Sequence, residues 1–321
     1  MISLVNPRTG HELQRSGDDL IDEAGNRFPV LEGIPRICDP NNYARNFGLQ
    51  WNEFDETQID RSDKGLALNA ERLFAETAWG SADLSGLDVL EVGSGAGRFT
   101  RVILEQTQAR LCSVDYSSAV EANLRNNGRV APDRLRLVQA SIYEMPFPDE
   151  SFDKVLCLGV LQHTPDFEAS VRALIRKAKK GGEIVVDFYP IRGWWTKLNS
   201  KYLLRPVTKR MGHRRLLKLI EANVDWLIKT YRTLDRMGLG ALNRFLPIAD
   251  LKYVLPKDCP AELEREWAIL DTFDMFSPEH DHPQRISRVV EMFRANGATV
   301  TFADYVSVGE ARAAVVRAVR D

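Results

Sequence analysis

The sequence predicts a doubly wound α/β fold, a parallel sheet covered by helices on both faces, from three observations. The aliphatic run Val89-Leu90-Glu91-Val92 leads into Gly93-Ser94-Gly95-Ala96-Gly97-Arg98-Phe99, with glycines at alternate positions ahead of an amphipathic segment. Leu111-Cys112-Ser113-Val114-Asp115 repeats the theme, a buried type of strand closed by an acidic residue. From residue 86 to residue 190, strand-like and helix-like segments alternate, which implies right-handed crossovers between parallel strands.

Taken in chain order, residues 1–38 read as a small β-rich module, because Phe28-Pro29-Val30-Leu31-Glu32-Gly33-Ile34-Pro35 mixes turn formers with short apolar pieces. Residues 39–85 are expected to be mostly helical. Within them Tyr43, Phe47, Trp51 and Phe54 fall at helical spacing. That helix packs on the core, lids a ligand with Tyr43, Phe47 or Trp51, or does both. Strands are expected near 88–92, 110–115, 135–139, 154–158 and 183–189, and helices near 97–107, 118–127 and 167–179. Gly181-Gly182 reads as a helix stop and turn before the fifth of these strands. Residues 191–280 interrupt the alternation with a largely helical insertion, broken at Gly238-Leu239-Gly240 and Pro247. An insertion at the carboxyl ends of strands builds a cap over the substrate. A helix over 283–296, stopped by Gly297, and two strands over 298–308 and 311–320 bring the expected sheet to seven strands. The expected divisions are therefore 1–38, a β-rich module; 39–190, a binding core with its N-terminal helices; 191–280, a helical cap; and 281–321, the last helix and a closing β-hairpin.

Glycine is needed where the backbone turns sharply or a ligand comes close, and a strand-to-helix turn is where doubly wound folds bind nucleotides. The spacing here is G-x-G-x-G, not the G-x-G-x-x-G of the dinucleotide fingerprint. Asp115 follows the glycines by about 20 residues, where an acidic side chain takes ribose hydroxyls. Its alternative role is to cap the helix that begins after Ser117-Ser118. Together the two motifs indicate an adenosine-type site.

Glu91-x-Gly93-x-Gly95-x-Gly97, Asp115, Phe147-Pro148-Asp149-Glu150-Ser151-Phe152-Asp153 and Gly159-Val160-Leu161-Gln162-His163-Thr164-Pro165-Asp166 resemble the motif series of class I S-adenosylmethionine-dependent methyltransferases. The flavour is that of quinone, sterol and surface-glycan methylases. The resemblance spans residues 40–190 and, by topology, 281–321. It implies a Rossmann-like seven-stranded sheet and S-adenosyl-L-methionine as cofactor. It sets the backbone of Gly93, Ser94, Gly95 and Gly97, with Glu91 beside them, against the cofactor. Asp115 then falls on the ribose, Tyr116 on the adenine edge, and Leu158 and Gly159 by the methionine part. Ser141 and Ile142 follow the third strand, where the family often has an acidic residue for the adenine amino group. Ser141 departs from that pattern and leaves a weaker or backbone-mediated contact. The N-terminal module resembles the Trm112-like zinc-ribbon type, but Asn6-Pro7-Arg8-Thr9 replaces its C-P-x-C, so metal binding is expected to be lost.

Methyl transfer from a sulfonium is an in-line displacement. It needs alignment and, for a hydroxyl acceptor, a base. The base candidates are His163, just beyond the fourth strand, and His280-Asp281-His282, with Glu279 weaker in the same turn. Histidine titrates near neutral pH and a carboxylate can orient it. The competing roles are a loop-shaping His163 and a polar turn ahead of Pro283. No metal is expected, although His-Asp-His is a ligand-like pattern.

Arg192 to Lys218 carries nine cations and no acidic residue, with Trp194, Trp195 and Tyr202 among them. It is a solvated helix face, a contact with an anionic membrane surface, or an arginine site for phosphate or acidic sugar. The formal net charge of −2 over 321 residues and the lack of a recognised module make nucleic acid an unlikely partner. Scattered single cysteines suit a reducing, cytoplasmic setting, and neither a signal peptide nor a membrane-spanning run is expected. The expected reaction is O-methylation of a small-molecule, sugar or lipid-linked glycan acceptor, with C-methylation of a quinone-like ring as the rival. A nicotinamide-dependent oxidoreductase and a non-catalytic partner-binding module are the readings from other classes. The glycine spacing argues against the first, and the complete glycine set with Asp115 against the second.

Overall fold

Short apolar pieces separated by turn residues give an N-terminal antiparallel meander of β1 (Gln14–Ser16), β2 (Asp19–Ile21), β3 (Arg27–Leu31) and β4 (Ile34–Ile37) in the computed structural model. The structure describes residues 2–60, 68–251, 259–309 and 311–321. Glu32 and Gly33, at φ 52° and 81°, close the β3–β4 hairpin in a primed turn whose twist matches the strands. Asp22 knits the meander together. It accepts from Asn6 Nδ2 at 2.7 Å and from the backbone and side-chain amides of Asn26 at 2.8 Å. Burial alone would raise its pKa, but the bonds from Asn26 and Asn6 hold the carboxyl at about 2. Thr9 also reaches Asp22. Asn6 and Thr9, the residues in place of the zinc-ribbon cysteines, thus serve a hydrogen-bonded knot. Among the described residues no group of three or more His, Cys, Asp or Glu is placed to hold a metal ion.

Two helices follow, α1 (Arg45–Glu53) and α2 (Leu68–Thr77). Residues 61–67 of the expected helical stretch, and 252–258 of the expected cap, lie outside the described residues. The alternating core is β5 (Asp88–Val92), α3 (Arg98–Gln106), β6 (Arg110–Asp115), α4 (Ala119–Asn127), β7 (Leu135–Ala140), β8 (Phe152–Cys157), α5 (Phe167–Lys177) and β9 (Ala178–Phe188). Asp166 caps α5 by accepting from the Ala169 amide at 2.9 Å. Gly181-Gly182 does not stop this helix. Ala178 is already extended and paired with Phe152, and the glycines fall in a bulge where β8 advances from Phe152 to Lys154 while β9 advances from Ala178 to Glu183.

The insertion holds α6 (Ser200–Thr208), α7 (His213–Arg236) and α8 (Ala261–Phe276). Leu216, Ile220, Val224, Leu227 and Tyr231 recur at helical spacing on α7, and they pack on Phe273 of α8 and on Phe54. The chain closes with α9 (Ile286–Ala295), β10 (Ala298–Val308) and β11 (Ala311–Arg320). The last helix starts later than its sequence pattern indicates, because Gln284 bridges Pro190 and keeps the chain extended there.

The sheet has eleven strands rather than seven, in the order β1-β2-β3-β4-β7-β6-β5-β8-β9-β11-β10. The expected seven run from β7 to β10. The other four join because β4 pairs in parallel with β7 through Arg36–Gln139 and Ile37–Ala140, so the meander extends the core sheet. Strands from β4 to β9 are parallel, and β11 and β10 are antiparallel to their neighbours. On one face Leu90, Val155 and Val186 pack against Leu174 of α5 and Phe293 of α9. On the other, Val89, Leu111 and Leu156 pack against Leu73 of α2 and Ile103 of α3. The chain leaves β5 toward β6 on one side and returns to β8 on the other. That reversal opens a crevice at the strands' carboxyl ends.

If the Asn6–Asp22–Asn26 knot rather than a metal holds the meander, dialysis against a chelator leaves the melting temperature unchanged. Asp22→Ala lowers it by a few degrees. Thermal denaturation followed by circular dichroism checks both.

Candidate functional site

The crevice at the β5/β8 reversal is an open cleft of about 110 Å³. Its floor is the glycine turn. Gly93 sits at φ +79°, and a Cβ there would lie 2.2 Å from Val160 Cγ2. A Cβ on Gly95 would lie 3.1 Å from the Trp51 ring. Glycine at these positions leaves room for Val160 of the loop after β8 and for Trp51 of α1. Gly97 stands outside the cleft, where a Cβ would run into Asn123 and Asn127 of α4. Its smallness therefore serves helix packing.

Asp115 holds the turn in place. One carboxylate oxygen accepts from the Gly95 amide at 2.8 Å, and the other from the Ser117 amide and hydroxyl at 2.8 and 2.7 Å. Burial raises its pKa, and the bonds from Ser117 and Gly95 oppose that rise. Asp115 does not cap α4, whose N-cap residue is Ser118 with no side-chain cap bond; its carboxylate instead fixes the turn ahead of that helix and lines the cleft. Tyr116 lines it too, with Tyr43 against its ring at a centroid distance of 5.1 Å. Phe47 and Trp51 of α1 complete an aromatic wall.

Ser94, Leu158 and Gly159 line the cleft, and Ser94 Oγ is buried without a hydrogen-bond partner among the described residues. Glu91 does not line it. Its carboxylate turns inward to accept from Thr100 and Ser113, and burial pushes its pKa up to about 7. Ser141 and Ile142 do not line it either, because the Ser141 hydroxyl accepts from the Tyr143 amide at 3.2 Å and caps a 3-10 turn.

A buried ionic layer supports the floor. Asp187 of β9 accepts from the Gly159 amide and from Arg72 of α2, which also pairs with Glu76 at 2.7 Å. Arg98 reaches the cleft beside it and donates to Gln58 at 2.7 Å. Burial, and then the nearby Arg72, lower the Arg98 pKa to about 10.

His163 lines the far wall and is 5% exposed. Its Nδ1 lies 3.2 Å from the His280 carbonyl, which can only accept, so Nδ1 carries the hydrogen and Nε2 presents a lone pair. Nε2 has no hydrogen-bond partner among the described residues and lies 4.0 Å from Asp274 of α8. Asp274 accepts from the Tyr189 hydroxyl at 3.0 Å. Burial lowers the His163 pKa, with Asp274 opposing.

His280, Asp281 and His282 stand behind this wall rather than in the cleft. His280 contributes its carbonyl, His282 stacks on His280, and Asp281 pairs with Lys201 of α6 at 2.8 Å instead of orienting a histidine. Sequence reasoning missed Asp274, Arg98 and Gln58. Arg98 could have been found as the first helical residue after the glycines. Asp274 has no local signal, since it reaches His163 only through the packing of the insertion.

Residues 90–186 match the methyltransferase domain family. Among curated relatives, the chain is 26% identical to the tRNA U34 carboxymethyltransferase of Nautilia profundicola over 168 residues, 49% of this chain and 54% of the relative. It is 32% identical to the ubiquinone/menaquinone biosynthesis C-methyltransferase UbiE of Vibrio campbellii over 130 residues, 39% of this chain and 46% of the relative. The chain thus spans about half the length of the curated relatives it matches. The magnesium protoporphyrin IX methyltransferase (ChlM) of Synechocystis PCC 6803, solved with bound SAM, shares the fold, with a TM-score of 0.50, 13% identity and coverage of 88% of this chain and 98% of that one.

The residues present fit S-adenosylmethionine, the cofactor that the sequence resemblance implies. The glycine floor leaves a cradle that side chains would fill, the Ser94 hydroxyl is an unused buried donor, and Asp115 offers a carboxylate for hydroxyls. Gly95→Ala pushes a methyl group toward Trp51 and should weaken S-adenosylhomocysteine binding by about tenfold or more, equivalent to about 1.4 kcal/mol. Calorimetric titration checks it.

Proposed function

We propose that the cleft transfers a methyl group from S-adenosylmethionine to an oxygen nucleophile, with His163 as the general base. The observation that carries this reading is His163 Nε2, a buried, unpartnered lone pair on the cleft wall. Bound S-adenosylmethionine supplies an electrophilic methyl group on a positively charged sulfur, which leaves as a neutral thioether. The glycine floor and Ser94 hold one end of the ligand. Asp115 takes its ribose hydroxyls, and Tyr43, Tyr116 and Trp51 wall off water. His163 accepts the acceptor's hydroxyl proton at Nε2, and Asp274 stabilises the imidazolium that forms. The Tyr189 hydroxyl keeps Asp274 facing that ring.

The acceptor in this reading is a small-molecule or sugar hydroxyl, free or lipid-linked. The acid-free segment from Arg192 to Lys218, whose Arg192, Lys197, Lys209, Arg210, Arg214, Arg215 and Lys218 are exposed, supports an anionic one. The similarity to UbiE favours carbon methylation of a quinone-like ring as a second reading. His163 serves there too, because a ring carbon must lose its proton after accepting the methyl group. Cys38, Cys112 and Cys157 are free of disulfides, which supports a reducing, cytoplasmic setting. Among the described residues no helix is long and apolar enough to cross a membrane.

His163→Gln should lower kcat by about 10²- to 10⁴-fold while leaving S-adenosylhomocysteine affinity unchanged. Turnover with a labelled methyl donor, together with calorimetry, measures both. Because burial lowers the His163 pKa, the base form prevails at neutral pH. The rate should therefore fall only on acidification below the ordinary histidine range, near pH 6.5. A rate that is flat down to that pH and drops below it agrees. A fall that begins on the alkaline side of it would exclude His163 as the base.

A further inference from the structure

Helix α6 is inverted. It buries its polar side and turns its apolar side outward. Four hydrogen bonds fix that rotation: Ser200 Oγ donates to the Leu246 carbonyl at 2.6 Å, Lys201 to Asp281 at 2.8 Å, Arg205 to the Pro278 carbonyl at 2.8 Å and Thr208 to the Phe276 carbonyl at 3.1 Å. Arg205 is only 7% exposed, whereas Leu203 is 60% and Val207 64% exposed. The preceding turn adds Trp194, 82% exposed, with Trp195 beside it. No rotation of the helix could hide Leu203, Leu204 and Val207 without breaking these anchors. The apolar face is therefore built into the fold.

The charges around it indicate what covers it. Arg192, Lys197, Lys209, Arg210, Arg214, Arg215 and Lys218 are exposed and make no ion pair among the described residues. No acidic residue occurs between Arg192 and Lys218. An apolar stripe with tryptophan, in a segment whose charges are all positive, complements an anionic lipid surface: leucine and valine enter the acyl boundary, tryptophan sits at headgroup level and the cations meet lipid phosphates. A second copy of this chain would set the same cations against each other across a symmetric interface. A nucleic acid would leave the leucines and valine uncovered.

We propose that the Trp194–Lys197 turn and helix α6 form a docking face for anionic membranes. The Lys201–Asp281 pair ties this face to the loop whose His280 carbonyl holds His163, so docking would bring the cleft to the bilayer surface. The proposal goes beyond the methyl-transfer reading and does not depend on it, since vesicle binding is read without turnover.

The test is flotation of the full chain with vesicles of phosphatidylglycerol and phosphatidylcholine in equal parts, and with phosphatidylcholine alone. The wild type should float with the anionic vesicles and not with the neutral ones. Leu203→Glu/Val207→Glu should reduce the bound fraction about tenfold or more, and Trp194→Ala by less. All three substituted positions are exposed, and an unchanged melting temperature in each variant confirms an intact fold. A wild type that stays in solution with anionic vesicles at low salt overturns the proposal. So does a double variant that floats as well as the wild type, because binding would then rest on charge alone. If the wild type instead self-associates through this face and ignores vesicles, a second copy is the occupant and the proposal fails.

Discussion

Everything at the site depends on where the Asp115 carboxylate is held. It is buried at the end of β6, and a buried carboxylate must be given donors or lose its charge. Its donors are the Gly95 amide on one side and the Ser117 amide and hydroxyl on the other. A hydrogen bond to a charged group contributes about 1.5–3 kcal/mol, so the glycine turn, the strand end and the start of the α4 region are fixed as one unit. The reversal of strand order between β5 and β8 then places Leu158 and Gly159 opposite that unit.

A second buried charge governs the other side of the cleft. Asp187 fixes the Gly159 amide and is itself neutralised by Arg72, so the loop after β8 is coupled to α2. The insertion closes the arrangement. Its helix α8 brings Asp274 to His163, and its helix α6 anchors the 277–285 loop through Lys201 and Arg205. The histidine is thereby held by the His280 carbonyl on one side and by the Phe47 and Tyr189 rings on the others, with Asp274 near its free nitrogen.

What was legible in the chain was local in origin. The core strands and the glycine turn carry their signals within a few consecutive residues: aliphatic runs, alternate glycines and a terminal acid. The eleven-stranded sheet was not legible, since the pairing of Arg36 and Ile37 with β7 joins residues about a hundred positions apart. Gly181-Gly182 looked like a helix stop because a bulge and a turn demand the same residue. The third glycine, Gly97, belongs to packing against α4, a distinction the spacing alone does not make. Asp274 and the inverted face of α6 were hidden for the same reason. Each acquires its meaning from a partner in another element: His163 for the first, and the anchoring carbonyls of residues 246, 276 and 278 for the second.

The most direct measurement of the central claim is calorimetric titration of the wild-type chain with S-adenosylhomocysteine and, in parallel, with NAD. The glycine turn, Asp115 and the aromatic wall predict saturable binding of S-adenosylhomocysteine at one site per chain, with micromolar affinity, about −8 kcal/mol, and no binding of NAD. Binding of NAD without S-adenosylhomocysteine, or of neither, would contradict the account.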